Sequence, residues 1–437
     1  MASFPAEIEE PAQLAAPRLR QNVRRVREAL SAVFVRQVLA MCITRISLIA
    51  IGLITTVVVA RTLGPEGRGL YAVAMAIGAI GVQCGTLGLH TVNSYAAAKD
   101  RSSLPGLVGN SLAVAAMVGA LAMTGTYIAV AIRPQIAPLG GSLLFLALLW
   151  IPFGLAYTLV QCLLLGVNAV AVYNRAELAN RTLALVMIVG LMLLHAVSPQ
   201  SVLAVGLVMT AGAGAAAVRH LVRDSGRAPQ PSWKLFTGNF SYGLRAYLGT
   251  FFCFLVSRTD VLMLKYLAST EAAGHYSIAG TMADNVSILP VIVASLLLPK
   301  LSATADIRRK YTLMKKTVVG TTAILVPLFG ATMLLAPWAI RVLFGEAFAP
   351  AAPAYLWLMP GMLFLGIEMV AVQFLNSIGF PVVVVWIWFC CALVKVFANF
   401  WVIPIYGVAG ASVVASCVYL VALVLIASVV YRKAHGG

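Results

Sequence analysis

With 437 residues, 61% of them hydrophobic and only 10% charged, the chain lacks the polar surface of a water-soluble domain. Connections between its apolar stretches are about 20 residues at most, and no G-x-x-x-x-G-K-[ST] occurs, which excludes an extramembrane catalytic domain and a built-in ATPase. The net charge of +17 does not imply nucleic acid as a partner, because the basic residues flank apolar stretches, where they set topology and meet anionic membrane lipids.

Residues 1–17 are polar and contain Pro and Glu, with no apolar core before the first arginine, so they do not read as a secretory signal. Residues 18–36 place six arginines among Leu and Val, a basic and partly amphipathic segment suited to the cytoplasmic lipid surface. Twelve apolar stretches of spanning length follow. They fall near residues 39–60, 70–96, 107–132, 141–166, 176–197, 200–221, 242–266, 272–298, 315–336, 354–376, 382–403 and 406–430. About 20 Lys and Arg fall in the N-terminal tail, the even-numbered loops and the C-terminus, against about five in the odd-numbered loops, which predicts cytoplasmic termini and a cytoplasmic central loop.

The sequence repeats itself. Residues 66–71 read E-G-R-G-L-Y and residues 271–276 read E-A-A-G-H-Y, each at the start of the second span of a six-span half. An even number of spans gives both copies the same orientation. The expected fold is therefore an all-α polytopic membrane protein of two pseudo-symmetric six-helix bundles facing a central cavity. Its parts are a cytoplasmic basic N-terminal segment (1–38), a first bundle (39–221), a cytoplasmic linker (222–240), a second bundle (241–431) and a cytoplasmic tail (432–437). All seven cysteines fall inside spans without metal-ligand spacing, and the histidines form no H-E-x-x-H, so no metal or other cofactor is expected.

The stretch R-T-L-G-P-E-G-R-G-L-Y (Arg61 to Tyr71) resembles the flippases of the multidrug/oligosaccharidyl-lipid/polysaccharide (MOP) superfamily, especially its polysaccharide-unit, Wzx-like O-antigen and exopolysaccharide branch. The stretches R-T-D-V-L-M-L (Arg258 to Leu264), L-L-L-P-K-L-S (Leu296 to Ser302) and I-P-I-Y-G-V-A-G-A (Ile403 to Ala411) agree with it. The resemblance implies two bundles in a V, alternating access, a lipid-linked oligosaccharide as substrate and a place in the bacterial inner membrane, with polysaccharide polymerase or export machinery as a candidate partner. The two further helices usual in peptidoglycan-precursor flippases are missing from this pattern.

Such a transporter breaks no bond, so no catalytic residue is required. It does need a hydrated, partly cationic groove, because a pyrophosphate-linked sugar head cannot cross hydrocarbon unaided. Charged residues at a span centre cost about 2.5–3.5 kcal/mol each on insertion scales, so those present should mark the path. In span one, Arg45 shares a face with Gly52 and Thr56, lining the cavity or snorkelling to the cytoplasmic interface. In span seven, Tyr247, Phe251, Arg258 and Lys265 fall on one face. In span eleven, Trp388, Lys395 and Asn399 share another, a ring, a cation and an amide suited to phosphate and sugar.

Arg258 and Lys395 each read either as substrate contacts or as members of internal ion pairs. The available acids are Asp260, on a different face from Arg258, Asp284 in span eight and Glu368 in span ten. An unpaired Asp284 or Glu368 could carry a proton during transport, and coupling to H+ or Na+ is the expectation left open. Asn93 and Gln161 read as interhelical hydrogen-bond glue, Arg175 and Arg181 as snorkelling side chains, and Pro290 and Pro327 as kinks in spans eight and nine. Two other functions compete: an ion-coupled multidrug or metabolite exporter, which would favour acids over bases in the cavity, and a membrane glycosyltransferase or polymerase using a lipid-linked donor, which would need larger external loops.

Overall fold

The computed structural model describes residues 15–379 and 381–435, and the side chains of all of these except residues 15–43, 45, 136 and 238–246. The chain falls into two bodies, residues 1–52 and 53–437. The first contributes helix only. The side chains of its basic segment and of Arg45 lie outside those described.

Twelve α-helices are present among the described residues: α1 (Ala15–Thr86), α2 (Leu89–Lys99), α3 (Leu104–Ile132), α4 (Gly141–Gly166), α5 (Val170–Leu193), α6 (Pro199–Ser225), α7 (Trp233–Leu267), α8 (Thr270–Val286), α9 (Ile288–Ala303), α10 (Ile307–Phe344), α11 (Ala351–Asn376) and α12 (Val382–His435). Hydrocarbon offers backbone amides no partner, so a spanning segment must satisfy them within itself, and helices do so.

Nine of these helices are long and apolar enough to cross a membrane, and α8 with α9, bent by 41°, makes a further crossing. Two of the nine are each divided by a glycine in a non-helical conformation: α1 at Gly64 (φ 67, ψ 179) and α12 at Gly407 (φ 55, ψ -133). Each therefore supplies two crossings, and the total is the twelve expected. Positive φ is accessible to Gly at little cost, and Pro65, pre-set for the first turn of a helix, starts the next arm.

The second span of each half is also interrupted. In the first half, Leu87 (φ 46) and Gly88 (φ 76) separate α1 from α2. In the second, Ser287 separates α8 from α9. Pro290 explains the second break, because it has no N–H for the carbonyl of Val286, one turn earlier. Pro327 leaves α10 continuous, so the kink expected there produces no break.

The cores divide between the halves. In the first, Leu163 and Leu164 of α4 meet Leu104, Leu107 and Val108 of α3 and Ala217 and Leu221 of α6. In the second, Met359 and Phe374 of α11 pack with Ile340 and Phe344 of α10 and with Ala415, Tyr419 and Ile426 of α12. The helices α4 and α11 hold equivalent places, fourth in each half, and both are heavily buried by their neighbours. Lipid is as apolar as leucine, so close packing rather than exclusion of water holds these helices together. The linker is fastened to the first half: Asn110 of α3 donates to the Ser232 carbonyl (2.9 Å) and accepts from its N–H (2.7 Å), and Gln230 N–H donates to Pro105 carbonyl (3.1 Å).

The repeat motifs lie against each other. A Cβ on Gly69 would stand 1.9 Å from the Thr270 carbonyl oxygen, and one on Gly274 would stand 2.0 Å from the Pro65 carbonyl oxygen. Pro65 and Thr270 are equivalent positions of the repeat, as are Gly69 and Gly274, so the contact is reciprocal and backbone-to-backbone. Only glycine permits it. Around the crossing, Val73 and Ala74 pack with Ala272, Ala273 and Tyr276, Arg68 Nε donates to Ser277 Oγ (3.2 Å), and Arg61 Nε donates to the Leu343 carbonyl (2.7 Å). The two halves are thus joined at the end of the molecule that carries the repeats.

Candidate functional site

The charged residues singled out from sequence converge on α7, but they form two different sites. Arg258 and Asp260 are two positions apart, about 200° around the helix, and so face opposite ways. Asp260 is 1% exposed and Arg258 is 44% exposed.

On the inner face, Asp260 is the acceptor for three side chains. Lys395 Nζ, from the first arm of α12, donates to Oδ2 at 2.6 Å. Asn399 Nδ2, one turn further on, donates to Oδ1 at 2.8 Å. The Tyr276 hydroxyl of α8 donates to Oδ2 as well. Lys395 also donates to the Val256 carbonyl of α7, and its ammonium lies 5.5 Å from the centre of the Tyr419 ring in the second arm of α12. Lys395 is fully buried. Of the two readings left open for it, the structure has the internal ion pair, and its acid is Asp260, not Asp284 or Glu368.

Trp388 and Asn399 share the face of Lys395 as their spacing predicts, but that face is turned into the second-half core, with Trp388 and Asn399 both buried. The expectation that these three line an open groove is corrected accordingly. A charge in an apolar helix turns to whatever satisfies it most fully, and here a carboxylate, a carbonyl and an aromatic face are within reach inside the protein.

On the outer face of α7, Arg258 Nη2 meets Asp284 Oδ2 of α8 at 3.1 Å, and both side chains are nearly half exposed. The guanidinium also lies 5.9 Å from the Phe254 ring centre. Guanidinium carries five N–H donors. Only one of them is bonded to Asp284. Asp284 stands one turn before the α8–α9 break.

Tyr247, at the other end of the same helix, is buried, and its hydroxyl donates to the Gln83 carbonyl. Gln83 lies in the last turn of α1 before the break at Leu87 and Gly88, where carbonyls lose their helical partners. Tyr247 thus caps a broken helix instead of facing an open path, and His90 packs edge-on against its ring at 6.0 Å. Glu368 is buried in α11, with no hydrogen bond or ion pair among the described residues. Lys265 bonds to the Thr270 hydroxyl beside the repeat crossing.

The first half holds an ionic cluster that sequence reasoning passed over. Glu177 of α5 accepts from the Tyr157 hydroxyl (2.9 Å) and Gln161 Nε2 (3.0 Å) of α4 and from Arg181 Nε (3.0 Å). Arg181 is 49% exposed. The signal was present as Glu and Arg at i and i+4, next to a span already containing Gln161. A cavity of about 670 Å3 lies elsewhere, between α11 and the two arms of α12. Its walls, including Trp357, Val394, Cys417 and Val421, are apolar or cysteine, so it is no place for an ionic head group.

Comparisons with known proteins agree with this arrangement. Residues 58–353 match the model of the polysaccharide biosynthesis protein family Polysacc_synt_3. An uncharacterized membrane protein, MJ1068, of Methanocaldococcus jannaschii is 26% identical over 186 residues, and the match spans 42% of this chain and 37% of that protein. Among solved structures, the lipid II flippase MurJ in an inward closed conformation superposes with a TM-score of 0.69 at 14% identity, covering 90% of this chain and 87% of that one. An inward-facing multidrug resistance MATE family transporter of the MOP superfamily gives a TM-score of 0.68 at 15% identity, covering 88% and 94%. The two-lobed, twelve-crossing architecture is the fold of these transporters, and the chain belongs to the polysaccharide biosynthesis protein family.

Proposed function

We propose that this protein is a flippase that moves a lipid-linked oligosaccharide, a sugar repeat unit on polyprenyl pyrophosphate, from the cytoplasmic to the outer leaflet of a bacterial inner membrane by alternating access. The observation that carries this reading is Arg258: a half-exposed guanidinium within a spanning helix, held by a single hydrogen bond to a half-exposed carboxylate. A phosphate oxygen competes with Asp284 for such a group, and a planar guanidinium matches two phosphate oxygens at once. The lipid tail stays in hydrocarbon throughout. No bond breaks, so the chain's work is to substitute its own polar groups for lost water.

Charge asymmetry places the repeat crossing on the outer side. On that reading the Gly69–Gly274 contact closes the outer end, the cytoplasmic end receives substrate, and transport requires the crossing to part. The candidates for coupling to H+ or Na+ are Asp284, which pairs with Arg258, and the buried Glu368, which has no partner among the described residues.

Translocation of a labelled lipid-linked glycan in proteoliposomes tests the assignment. Arg258→Ala should strongly reduce it while leaving folded protein in the membrane, and normal translocation by that variant would remove Arg258 from the path. A multidrug exporter would instead keep cation export in Arg258→Ala and lose it in Asp284→Asn. Release of the lipid carrier from the glycan by purified protein would establish an enzyme. For the gate, Gly69→Leu in a cysteine-free background should expose Ser277→Cys to a membrane-impermeant maleimide from outside, because its side chain cannot occupy the crossing. Unchanged labelling would mean that this contact is not the outer seal.

A further inference from the structure

The pair Lys395–Asp260 is not explained by stability alone. Buried ion pairs are often matched or bettered by apolar side chains of the same volume, because desolvation offsets the attraction. What distinguishes this pair is the set of groups assembled around one positive charge. A carboxylate oxygen at 2.6 Å and a main-chain carbonyl oxygen both accept from the ammonium. A tyrosine ring faces it at 5.5 Å. The carboxylate is held in place by the Tyr276 hydroxyl and the Asn399 amide. Carboxylate and carbonyl oxygens together with an aromatic face are the surroundings that hold a small monovalent cation. They come from α7, α8 and both arms of α12, so one charge ties together most of the second half.

We propose that Lys395 is a tethered counter-ion: Asp260 and Val256 form a monovalent-cation site that is occupied by the chain's own ammonium. The native protein therefore binds no dissolved Na+ or K+ at Asp260, and truncating Lys395 opens the site to one. A dissolved ion at this position would make the cohesion of the second half depend on ionic conditions. A tethered one holds it in every transport state. The inference concerns ion binding and does not depend on what is transported, so its failure and that of the flippase reading are separable.

The test is thermal unfolding of the full-length protein in lipid nanodiscs, with Na+, K+ or methylammonium replacing choline at constant chloride. Wild type should show no saturable response that depends on Asp260. Lys395→Ala should unfold at lower temperature and be restored, saturably, by at least one small cation and not by choline. Adding Asp260→Asn should remove that response. The proposal is overturned if Lys395→Ala shows no saturable response, or if wild type shows one that the Asp260→Asn, Lys395→Met double variant lacks. Should Lys395→Ala not fold in choline, purification with methylammonium throughout replaces the titration. Recovery of monodisperse protein with methylammonium supports the proposal, and failure to recover it there, while the uncharged double variant folds, overturns it.

Discussion

Arg258 and Asp260 are two residues apart on one helix, yet their ion pairs have opposite characters. The Lys395–Asp260 pair is fully buried, bears two further side-chain donors and holds α7, α8 and α12 together. The Arg258–Asp284 pair is nearly half exposed and rests on one hydrogen bond. The first cannot exchange partners without leaving a charge unsatisfied in the core. On the proposed reading the second can exchange them, with a phosphate replacing what is lost. Burial, rather than charge or depth along the span, is what distinguishes the two pairs.

That comparison predicts a series of effects. The largest belongs to Lys395→Ala, which should cost about 3–5 kcal/mol by leaving Asp260 buried and unpaired. The loss is read from unfolding in nanodiscs without small cations, and Asp260→Asn combined with Lys395→Met should recover most of it. A stable Lys395→Ala in choline would break the comparison at its buried end.

Arg258→Ala should change stability by at most about 1 kcal/mol, as expected of an exposed pair. It should nevertheless reduce translocation by about 10- to 100-fold or more, the equivalent of losing one or more charge-assisted hydrogen bonds of about 1.5–3 kcal/mol. A variant that is unstable as well as inactive would make the two pairs alike. Asp284→Asn should weaken the dependence of transport on an imposed proton or sodium gradient while leaving the protein folded, as read in vesicles with and without the gradient. If transport shows no gradient dependence in wild type, the coupling role of this acid falls.

The smallest effect is expected from Arg181→Ala. Glu177 keeps its bonds from Tyr157 and Gln161 when Arg181 is removed. Translocation should fall by less than in Arg258→Ala. A loss as large as that of Arg258→Ala would place a second phosphate contact in the first half and sharpen the picture to one cation from each lobe.

Much of this architecture is local information. Spanning length, glycine at a hairpin and charge beside a span end are properties of a few consecutive residues, which is why span four at 141–166 coincides with α4 and why a break at Gly64 falls between the first two spans. The breaks at Leu87 and Ser287 are less visible, since the first depends on a backbone conformation that no Pro announces. Periodicity also put Trp388, Lys395 and Asn399 on one face, and they share it. It could not say where that face points, because a helical period fixes angles between residues and not the helix's rotation in the bundle.

Hydrophobic length and short-range pattern are thus enough for the crossings, the twofold repeat and the superfamily resemblance. Tertiary structure decided that Asp260 takes Lys395 and Asp284 takes Arg258, that Tyr247 caps a broken helix, and that Gly69 and Gly274 meet. Each of these joins segments dozens to hundreds of residues apart, and the choice among competing partners is settled by burial and distance, which exist only once the helices have packed.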